Sequence, residues 1–466
     1  MGEGTVEKIP QTKQKLDYKK TFLIGFGFLA SSALWAVYNA YVPLILNEKL
    51  SQVDFIMQRG ILGVLVGFIM TFDNIFGVIF QPLFGRLSDR THSRFGKRRI
   101  YLLIGMPISA LLFILIPMAE TVVVMMLCII LFNFVMSTWR SPVVALMPDL
   151  TPPALRSEGN AVINLMGGVG TFLGMVSGMF LTQVLGIEDG LMGRMIVFTF
   201  TSVVVLVSLL IVMLKVKEPD NRLRNVADRR MAEEEEAKAL AEARAAEKKK
   251  FKDLRLPREK KVSLLFMLVG LFFVFNGSET IQTYFTTFAT TELNVSEFMA
   301  TLLMGVFALS LMIFAVPAGK LGQKIGRKKT ILIGLAGALI LFLLFFATRK
   351  IEGFLWVMIV IALIGGGACV ALVNINTLPI VLEIGTEEQI GAFTGYYYTA
   401  TFTASIVAPI LMGAIFDVTT QPGGMGYWSL FIYSPIAFLL AFLCILFVRH
   451  GETENPDALA PDDEVA

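Results

Sequence analysis

The stretch that decides the fold occurs twice in the chain. Residues 82–105 read PLFGRLSDRTHSRFGKRRIYLLIG, and residues 317–334 read PAGKLGQKIGRKKTILIG. Each copy has a proline shortly before a Gly-basic-Leu triplet, then a glycine followed by three basic residues, and then an apolar segment that ends in Ile-Gly. A polar loop between apolar segments, repeated half a chain later, predicts two related halves.

The composition indicates a membrane protein. Of the 466 residues, 55% are hydrophobic and 17% are charged, and the mean hydropathy is +0.69. Soluble domains average roughly 45–50% apolar and about 25% charged residues, so a water-soluble globular chain is excluded. The 2 histidines and 3 widely spaced cysteines argue against a metal cluster and a disulfide framework. We therefore predict no metal site and no cofactor.

Twelve apolar runs are long enough to cross a bilayer, which takes about 20 residues per helix. They divide six and six around a charged stretch, 215–261. This pattern predicts an all-α membrane protein made of two pseudo-symmetric six-helix bundles. The predicted spans are 20–46, 60–84, 99–117, 121–146, 159–186, 193–216, 262–290, 297–318, 329–348, 353–379, 389–416 and 427–448.

Lys and Arg are strongly biased to one side of this arrangement. If the N-terminus is cytoplasmic, almost all of the 40 Lys and Arg residues fall in cytoplasmic segments, as the positive-inside rule requires. We therefore predict cytoplasmic termini in the cytoplasmic membrane of a bacterium. The predicted domains are an N-terminal segment 1–19, a bundle 20–216, a charged and partly helical linker 217–261, a bundle 262–448 and a C-terminal tail 449–466.

The repeated loop resembles the signature of the major facilitator superfamily. The second copy, 319–329, has the spacing of that signature, with Gln323 where an acid is common. The first copy has five residues, 91–95, where the signature has one, which resembles the branch of sucrose/H⁺ carriers and glycoside–pentoside–hexuronide:cation symporters. The resemblance implies a carrier rather than an enzyme, with a central site between two six-helix halves.

The sequence differs from that branch at the positions that bind the coupling ion. Melibiose-type carriers hold Na⁺ with two aspartates in the second span, and alignment on 82–85 places those positions at Gly77 and Gln81. Neither residue binds a cation as a carboxylate does. The resemblance, with this departure, favours H⁺ over Na⁺.

Three ionisable residues interrupt otherwise apolar spans, namely Asp73 in the second, Arg140 in the fourth and Glu279 in the seventh. A charge at the centre of a span costs about 2.5–3.5 kcal/mol on insertion scales, so each residue is a functional candidate. A carboxylate that alternates between water and an arginine can load and release a proton. We predict that Asp73 carries the proton. Arg140 is then its partner or a substrate donor, and Glu279 is a second acid or a hydroxyl acceptor; a static ion pair between helices is the alternative.

Polar and aromatic side chains recur at helical spacing on several spans, which predicts a wet cavity. A sugar needs flat apolar faces for its C–H surface and amides or carboxylates for its hydroxyls. Core packing is the alternative for any single aromatic residue. The predicted substrate-binding residues are Trp35, Tyr38, Asn39, Asn133, Asn164, Asn276, Thr280, Thr283, Asn374, Tyr397, Tyr398 and Thr401.

The two loop copies are also predicted to gate transport. Their charges set the topology, and the family resemblance implies that they close the cytoplasmic side when the other side is open. The predicted gating residues are Gly85, Asp89, Arg90, Arg94, Gly96 and Lys97 in the first copy, and Gly319, Gly326 and Arg327 in the second.

These observations together predict a proton-coupled symporter for a glycoside, such as a di- or oligosaccharide, that works by alternating access. We expect a small-molecule substrate, contact with the lipid bilayer, a monomer and no nucleic-acid partner. Two alternatives stay open. One is a proton-coupled exporter of amphipathic compounds. The other is a non-transporting sugar-sensing receptor or channel, which would not need two copies of a loop that closes the cytoplasmic side.

Overall fold

The computed structural model describes residues 16–152, 155–186, 190–218, 257–351, 353–385 and 390–450. These ranges form helices joined by short turns and contain no β-strand. Twelve spans in them are long and apolar enough to cross a membrane. Most of the linker predicted to be partly helical, and most of the two terminal segments, lie outside the described residues.

Every predicted span is present, and several helices extend one or two turns beyond the apolar run because polar residues continue the helix past the hydrocarbon. The first six spans are Tyr18–Ser51, Leu62–Met70 with Phe72–Arg90, Arg99–Met118, Val122–Leu150, Arg156–Leu185 and Leu191–Lys215. The last six are Arg258–Glu292, Glu297–Ile325, Arg327–Ala347, Leu355–Ile384, Ile390–Thr419 and Leu430–Leu446. A short helix, Asp54–Arg59, joins the first span to the second.

The same helix pairs pack together in both halves. The first span contacts the fifth and sixth, the third contacts the fourth and sixth, and the second contacts the fourth. Spans seven to twelve repeat each of these pairings in the same order. The chain is therefore built from two related six-helix bundles, as the duplicated loop predicts.

The two bundles meet along three helix pairs, which form a seam. These pairs are the first span with the seventh, the second with the eleventh, and the fifth with the eighth. Because twelve crossings return the chain to its starting side, the described residues before the first span and after the twelfth lie at one face. We call that face the inner face, following the predicted orientation, and the opposite face the outer face.

Polar contacts across the seam lie at the outer face. The Thr286 hydroxyl of the seventh span donates to the Ala40 carbonyl of the first at 2.8 Å. Arg194 of the sixth span pairs with Glu297 at the start of the eighth, with 2.5 Å between nitrogen and oxygen. Arg194 also pairs with Glu48 at 2.6 Å. These contacts close the outer face.

The inner face differs because its described ion pairs each stay within one bundle. Arg98 and Lys97 pair with Asp149 in the first bundle. Arg327 pairs with Glu383 in the second. Across the described ranges no ion pair joins the two bundles at this face. We call this arrangement, whose described seam contacts lie at the outer face, inward-facing.

Candidate functional site

The second span has a one-residue break in its regular hydrogen bonding at Thr71, where the backbone stays in the αR region, two residues before Asp73. The span consists of an outer piece, Leu62–Met70, and an inner piece, Phe72–Arg90, separated at Thr71. The buried Thr71 donates its amide and its hydroxyl to the Phe68 carbonyl, at 3.1 and 2.7 Å. Asp73 lies in the first turn of the inner piece, where the helix dipole favours an acid. Its carboxylate accepts bonds from the backbone and side-chain amides of Asn74 at 2.6 and 2.8 Å.

Arg140 is held by an aromatic ring. Its guanidinium carbon lies 5.3 Å from the centroid of the Trp35 ring of the first span. A contact of this kind is worth about 0.5–2 kcal/mol, depending on desolvation. Among the described residues, none hydrogen-bonds to the Arg140 guanidinium or to the Trp35 indole N–H. Both groups therefore keep donors for a bound molecule.

Tyr38 forms the wall behind Trp35. The two rings meet edge to face, with their centroids 5.4 Å apart, and Tyr38 also stacks on Phe132 at 5.6 Å. Its hydroxyl accepts a bond from the Asn133 side-chain amide at 3.1 Å. Tyr38 is fully buried, so its ring packs in the core in this state. The side-chain oxygen of Asn133 is buried and has no partner in the described part of the chain.

Glu279 brings a carboxylate from the second bundle. Its carboxylate accepts a hydrogen bond from the Ser405 hydroxyl of the eleventh span and interacts electrostatically with Asp73. Asp73 in turn interacts electrostatically with Arg140. The three predicted intramembrane charges thus share one electrostatic site at the seam. The described contacts include no direct ion pair between Asp73 and Arg140, so this state does not contain the static pair that the sequence left open.

The polar residues of the seventh span mostly bond within their own bundle. Thr280 is fully buried, and its hydroxyl donates to the Asn276 carbonyl at 2.5 Å. The side-chain oxygen of Asn276 accepts from the Tyr433 hydroxyl. Its amide nitrogen is buried and unpaired within the described ranges. Thr283 is also buried. Among the described residues of this span, the Asn276 amide and the Thr287 hydroxyl are therefore buried donors without a partner.

The tenth and eleventh spans contribute a second aromatic group. Tyr397 is buried, with its hydroxyl 3.4 Å from that of Thr377, whereas Tyr398 is 48% exposed. The Thr401 hydroxyl donates to its own helix, to the Tyr398 carbonyl at 3.2 Å. The side-chain oxygen of Asn374 is buried without a partner among the described residues.

Two predicted residues lie apart from these contacts. Asn39 is partly buried and Asn164 is exposed. No described contact connects either residue to the charged site.

Two predicted gating residues of the first loop copy, Gly85 and Asp89, belong to one ionic cluster, the Arg98 clamp. Arg98 is 4% exposed, and its Nε donates to Asp149 at 2.9 Å. Its other nitrogens donate to the Gly85 carbonyl, at 3.2 Å, and to Ser88 and Asp89. The clamp joins the second, third and fourth spans within the first bundle.

Glu218, just after the sixth span, completes this end of the bundle. Its carboxylate accepts from the amides of Arg98 and Arg99, at 3.0 and 3.2 Å, which caps the third span. Burial raises the pKa of Glu218 above its ordinary value, although the two amides favour the carboxylate. Gly96 packs against Glu218 with a φ of +99°, which glycine adopts without strain.

The remaining gating residues make fewer contacts. Lys97 pairs with Asp149 at 3.0 Å, and Arg94 lies over the Phe95 ring. Arg90 is exposed. In the second copy, Gly326 has a φ of +94° and precedes Arg327, which pairs with Glu383 of the tenth span. Gly319 packs near Ile375.

Sequence reasoning missed several residues of these clusters. Asp149, Glu218 and Glu383 were not among the predicted gating residues. The available signal was positional, because Asp149 and Glu383 both lie at the inner ends of equivalent spans, the fourth and the tenth. Ser405, which bonds to Glu279, was also missed.

The comparisons with known proteins agree with this architecture. The family model of the Major Facilitator Superfamily matches residues 24–291 and 267–463. Human "Proton-associated sugar transporter A" is 27% identical over 215 residues, which are 42% of this chain and 27% of that protein. The chain thus matches about a quarter of that relative's length. "Tetracycline resistance protein, class H" of Pasteurella multocida is 25% identical over 431 residues, 90% of this chain and 93% of that protein.

Solved structures show the same fold. The crystal structure of a D-xylose-proton symporter superposes with a TM-score of 0.69 at 16% identity, over 94% of this chain and 98% of that one. The crystal structure of the nucleoside transporter NupG has a TM-score of 0.64 at 17% identity, over 93% of this chain and 100% of that one. At such identities the likeness concerns the fold alone.

Proposed function

Because this chain belongs to the Major Facilitator Superfamily, we propose that it is a secondary active transporter that couples inward proton movement to uptake of a glycoside, a di- or oligosaccharide. The two bundles expose one central site alternately to each side of the membrane. The observation that carries the proposal is the charged site at the seam. Asp73 and Arg140 come from the first bundle and Glu279 from the second. Relative movement of the bundles therefore changes the distance of Glu279 from the other two residues.

The proton is carried by Asp73. A carboxyl group far from cations and water favours its protonated form, and an approaching arginine favours the carboxylate. In the inward-facing arrangement Arg140 lies over Trp35 and makes no ion pair with Asp73 among the described contacts. A substrate that recruits the Arg140 donors changes the field at Asp73. Substrate binding and proton binding are then linked by a reciprocal coupling free energy.

The sugar is bound by the groups that the fold leaves with free hydrogen-bonding capacity. The Trp35 ring offers an apolar face, and its indole N–H and the Arg140 guanidinium offer donors. The carboxylate of Glu279 offers acceptors from the other bundle. A ligand that spans these groups bridges the seam, which is the requirement for a substrate that accompanies the conformational change.

A sugar screen tests this function directly. Cells or proteoliposomes containing the protein are given individual glycosides, and the external pH is recorded. We expect at least one sugar to alkalinise the medium and to accumulate above its external concentration. Asp73→Asn should abolish both effects, whereas Glu120→Gln, at an exposed acid of the outer face, should leave them unchanged. Full pH-driven accumulation by Asp73→Asn would remove Asp73 from its role.

A second candidate is a proton-coupled exporter of amphipathic compounds. The match to the tetracycline resistance protein covers 90% of this chain, whereas the match to the human sugar transporter covers 42%. Inverted vesicles with an imposed pH gradient separate the two candidates. Proton-driven accumulation of tetracycline in such vesicles, without a sugar-dependent pH signal in whole cells, would favour export. Accumulation against a gradient in either direction also separates a carrier from a channel or a receptor.

A further inference from the structure

Asp417 belongs to the second bundle, but its carboxylate binds the first. It lies near the outer end of the eleventh span and accepts hydrogen bonds from the amides of Gly63, at 2.5 Å, and Val64, at 2.9 Å. These amides belong to the first turn of the outer piece, where a helix has no partners of its own for its N–H groups. The preceding residue, Ile61, provides no side-chain cap. A carboxylate there satisfies two donors and complements the positive end of the helix dipole.

Backbone packing continues this attachment along the outer piece. Gly63 lies against the backbone of Gly413, and Gly67 lies against the backbone of Pro409, so that an added methyl group would overlap main-chain atoms at either glycine. The Tyr284 hydroxyl of the seventh span donates to the Pro409 carbonyl at 2.8 Å. The outer piece is therefore attached to the second bundle at its start and along one side.

The inner piece is attached to the other bundle. Its Gly85 carbonyl and Ser88 hydroxyl accept from Arg98, and Asp89 pairs with the same guanidinium. The second span is thus held at its outer end by the second bundle and at its inner end by the first. The break at Thr71 separates these two attachments, and Asp73 is the second residue beyond it.

We propose that Asp417 is the outer-gate residue of this transporter. Its carboxylate keeps the outer piece of the second span against the eleventh span, and release of that contact lets the outer piece pivot at Thr71 and opens the outer face. Asp417 does not touch the charged site. It acts as a positioning residue, because its carboxylate sets the orientation of the outer piece against the eleventh span.

Thiol accessibility tests the gate without any substrate. Val66 is fully buried and lines an outer cavity of about 280 Å³ together with Asp417 and Tyr427. Val66→Cys is introduced after the three native cysteines are replaced by serine or alanine, and a membrane-impermeant thiol reagent is applied at the outer face. We expect Asp417→Ala to raise the labelling rate roughly tenfold, the scale of a lost helix cap.

Two further variants make the test specific. Asp417→Asn keeps one acceptor for the helix amides, so its labelling rate should lie between those of the parent and Asp417→Ala. Asp54→Ala removes an exposed acid from the neighbouring short helix, which is not among the contacts across the seam, and should label like the parent. Equal labelling of Asp417→Ala and the parent, with matching thermal melting, would overturn the proposal. If Asp417→Ala does not fold, the same criterion applies to Asp417→Asn.

A transport measurement adds an independent readout. Opening of the outer gate should lower kcat, because the closing step becomes unfavourable, with a smaller effect on the affinity of the inward-facing site. The labelling assay contains neither sugar nor a proton gradient. Failure of the sugar screen therefore leaves the gate result intact, and failure of the gate result leaves the sugar screen intact.

Discussion

At the scale of single residues, the informative contact is the one between Arg140 and Trp35. An arginine inside a span normally pairs with a carboxylate, but here its guanidinium lies over an indole 5.3 Å away. The aromatic face stabilises the charge without using its hydrogen-bond donors. The site therefore retains both a cation and free donors, which is the combination that a hydroxylated ligand needs.

Removal of the Trp35 ring should weaken substrate binding. Trp35→Ala removes the ring that lies under Arg140 and the apolar face that we propose for the sugar. A lost apolar contact of about 1 kcal/mol corresponds to roughly a fivefold rise in Kd. Trp35→Phe should lose less, because a smaller ring still presents a π face. Equilibrium binding of the sugar identified in the screen measures both variants. Parent-like affinity in Trp35→Ala would show that the ring only packs.

The contribution of Glu218 to folding stability should depend on pH in the opposite sense from that of a paired carboxylate. Its pKa is raised in the folded protein, so the group favours folding at low pH, and this contribution is lost as the pH rises through the raised pKa. Glu218→Gln removes the buried charge and keeps an acceptor for the amides of Arg98 and Arg99. We expect a higher Tm than the parent at pH 7.5 and a smaller difference at pH 5, measured by thermal melting in detergent. A lower Tm at pH 7.5 would contradict this account.

At the scale of elements, the Arg98 clamp fixes the inner ends of three helices. Arg98 is 4% exposed and donates to Asp149, Asp89, Ser88 and the Gly85 carbonyl. The clamp connects the inner ends of these three helices to one another. The cluster stays within the first bundle, so the interpretation of the first loop copy as a latch between bundles applies to the outward-open state and stays a prediction.

Loss of the clamp should destabilise the first bundle. Arg98→Ala leaves Asp89 without its cation and leaves Asp149 with Lys97 alone. It also removes the donor to the Gly85 carbonyl and the Ser88 hydroxyl, and a buried polar group left unpaired costs about 1–3 kcal/mol. Thermal melting in detergent should show a clear fall in Tm. Arg90→Ala is the matched control, because Arg90 lies in the same loop and is exposed. Equal melting of the two variants would mean that the clamp contributes little.

At the scale of the whole molecule, the outer face is closed by backbone contact as well as by charge. Gly63 and Gly413 bring the second and eleventh spans together across the seam. The fifth span meets the eighth in the equivalent position, where Gly178 lies beside Phe298. Glycine allows this approach because it has no Cβ, so the inward-facing state depends on small residues at both contacts.

A side chain at Gly413 should prevent outer closure. Gly413→Val places methyl groups on the Gly63 backbone, whereas Gly395→Val, in the same span, meets no atom within 4 Å and serves as the control. Spin labels at Glu120→Cys and Ile351→Cys, both exposed, report the outer distance between bundles. We expect a longer distance for Gly413→Val and parent-like values for Gly395→Val. An unchanged distance in both would show that the contact does not set the state.

Local signals in the sequence were sufficient for the architecture and for the candidate charges. A bilayer requires long apolar helices, and a charge within one is costly, so hydropathy alone located the twelve spans and Asp73, Arg140 and Glu279. The duplicated loop indicated two halves because each copy is contiguous in sequence. The contacts between side chains could not be predicted in the same way. Thr280 was read as a ligand from its helical spacing, but its hydroxyl bonds to its own helix.

Only the tertiary structure decided which distant residues meet. Asp417 and Gly63 are 354 positions apart, and no local pattern relates an acid at one helix end to the amides of another. Their contact exists because two bundles pack in one particular state, closed at the outer face. The sequence determined the number and the composition of the helices, because a segment must be apolar to be solvated by the bilayer. The packing of the bundles determined which charges share a site and which face is open, since those depend on geometry between residues that the chain itself keeps far apart.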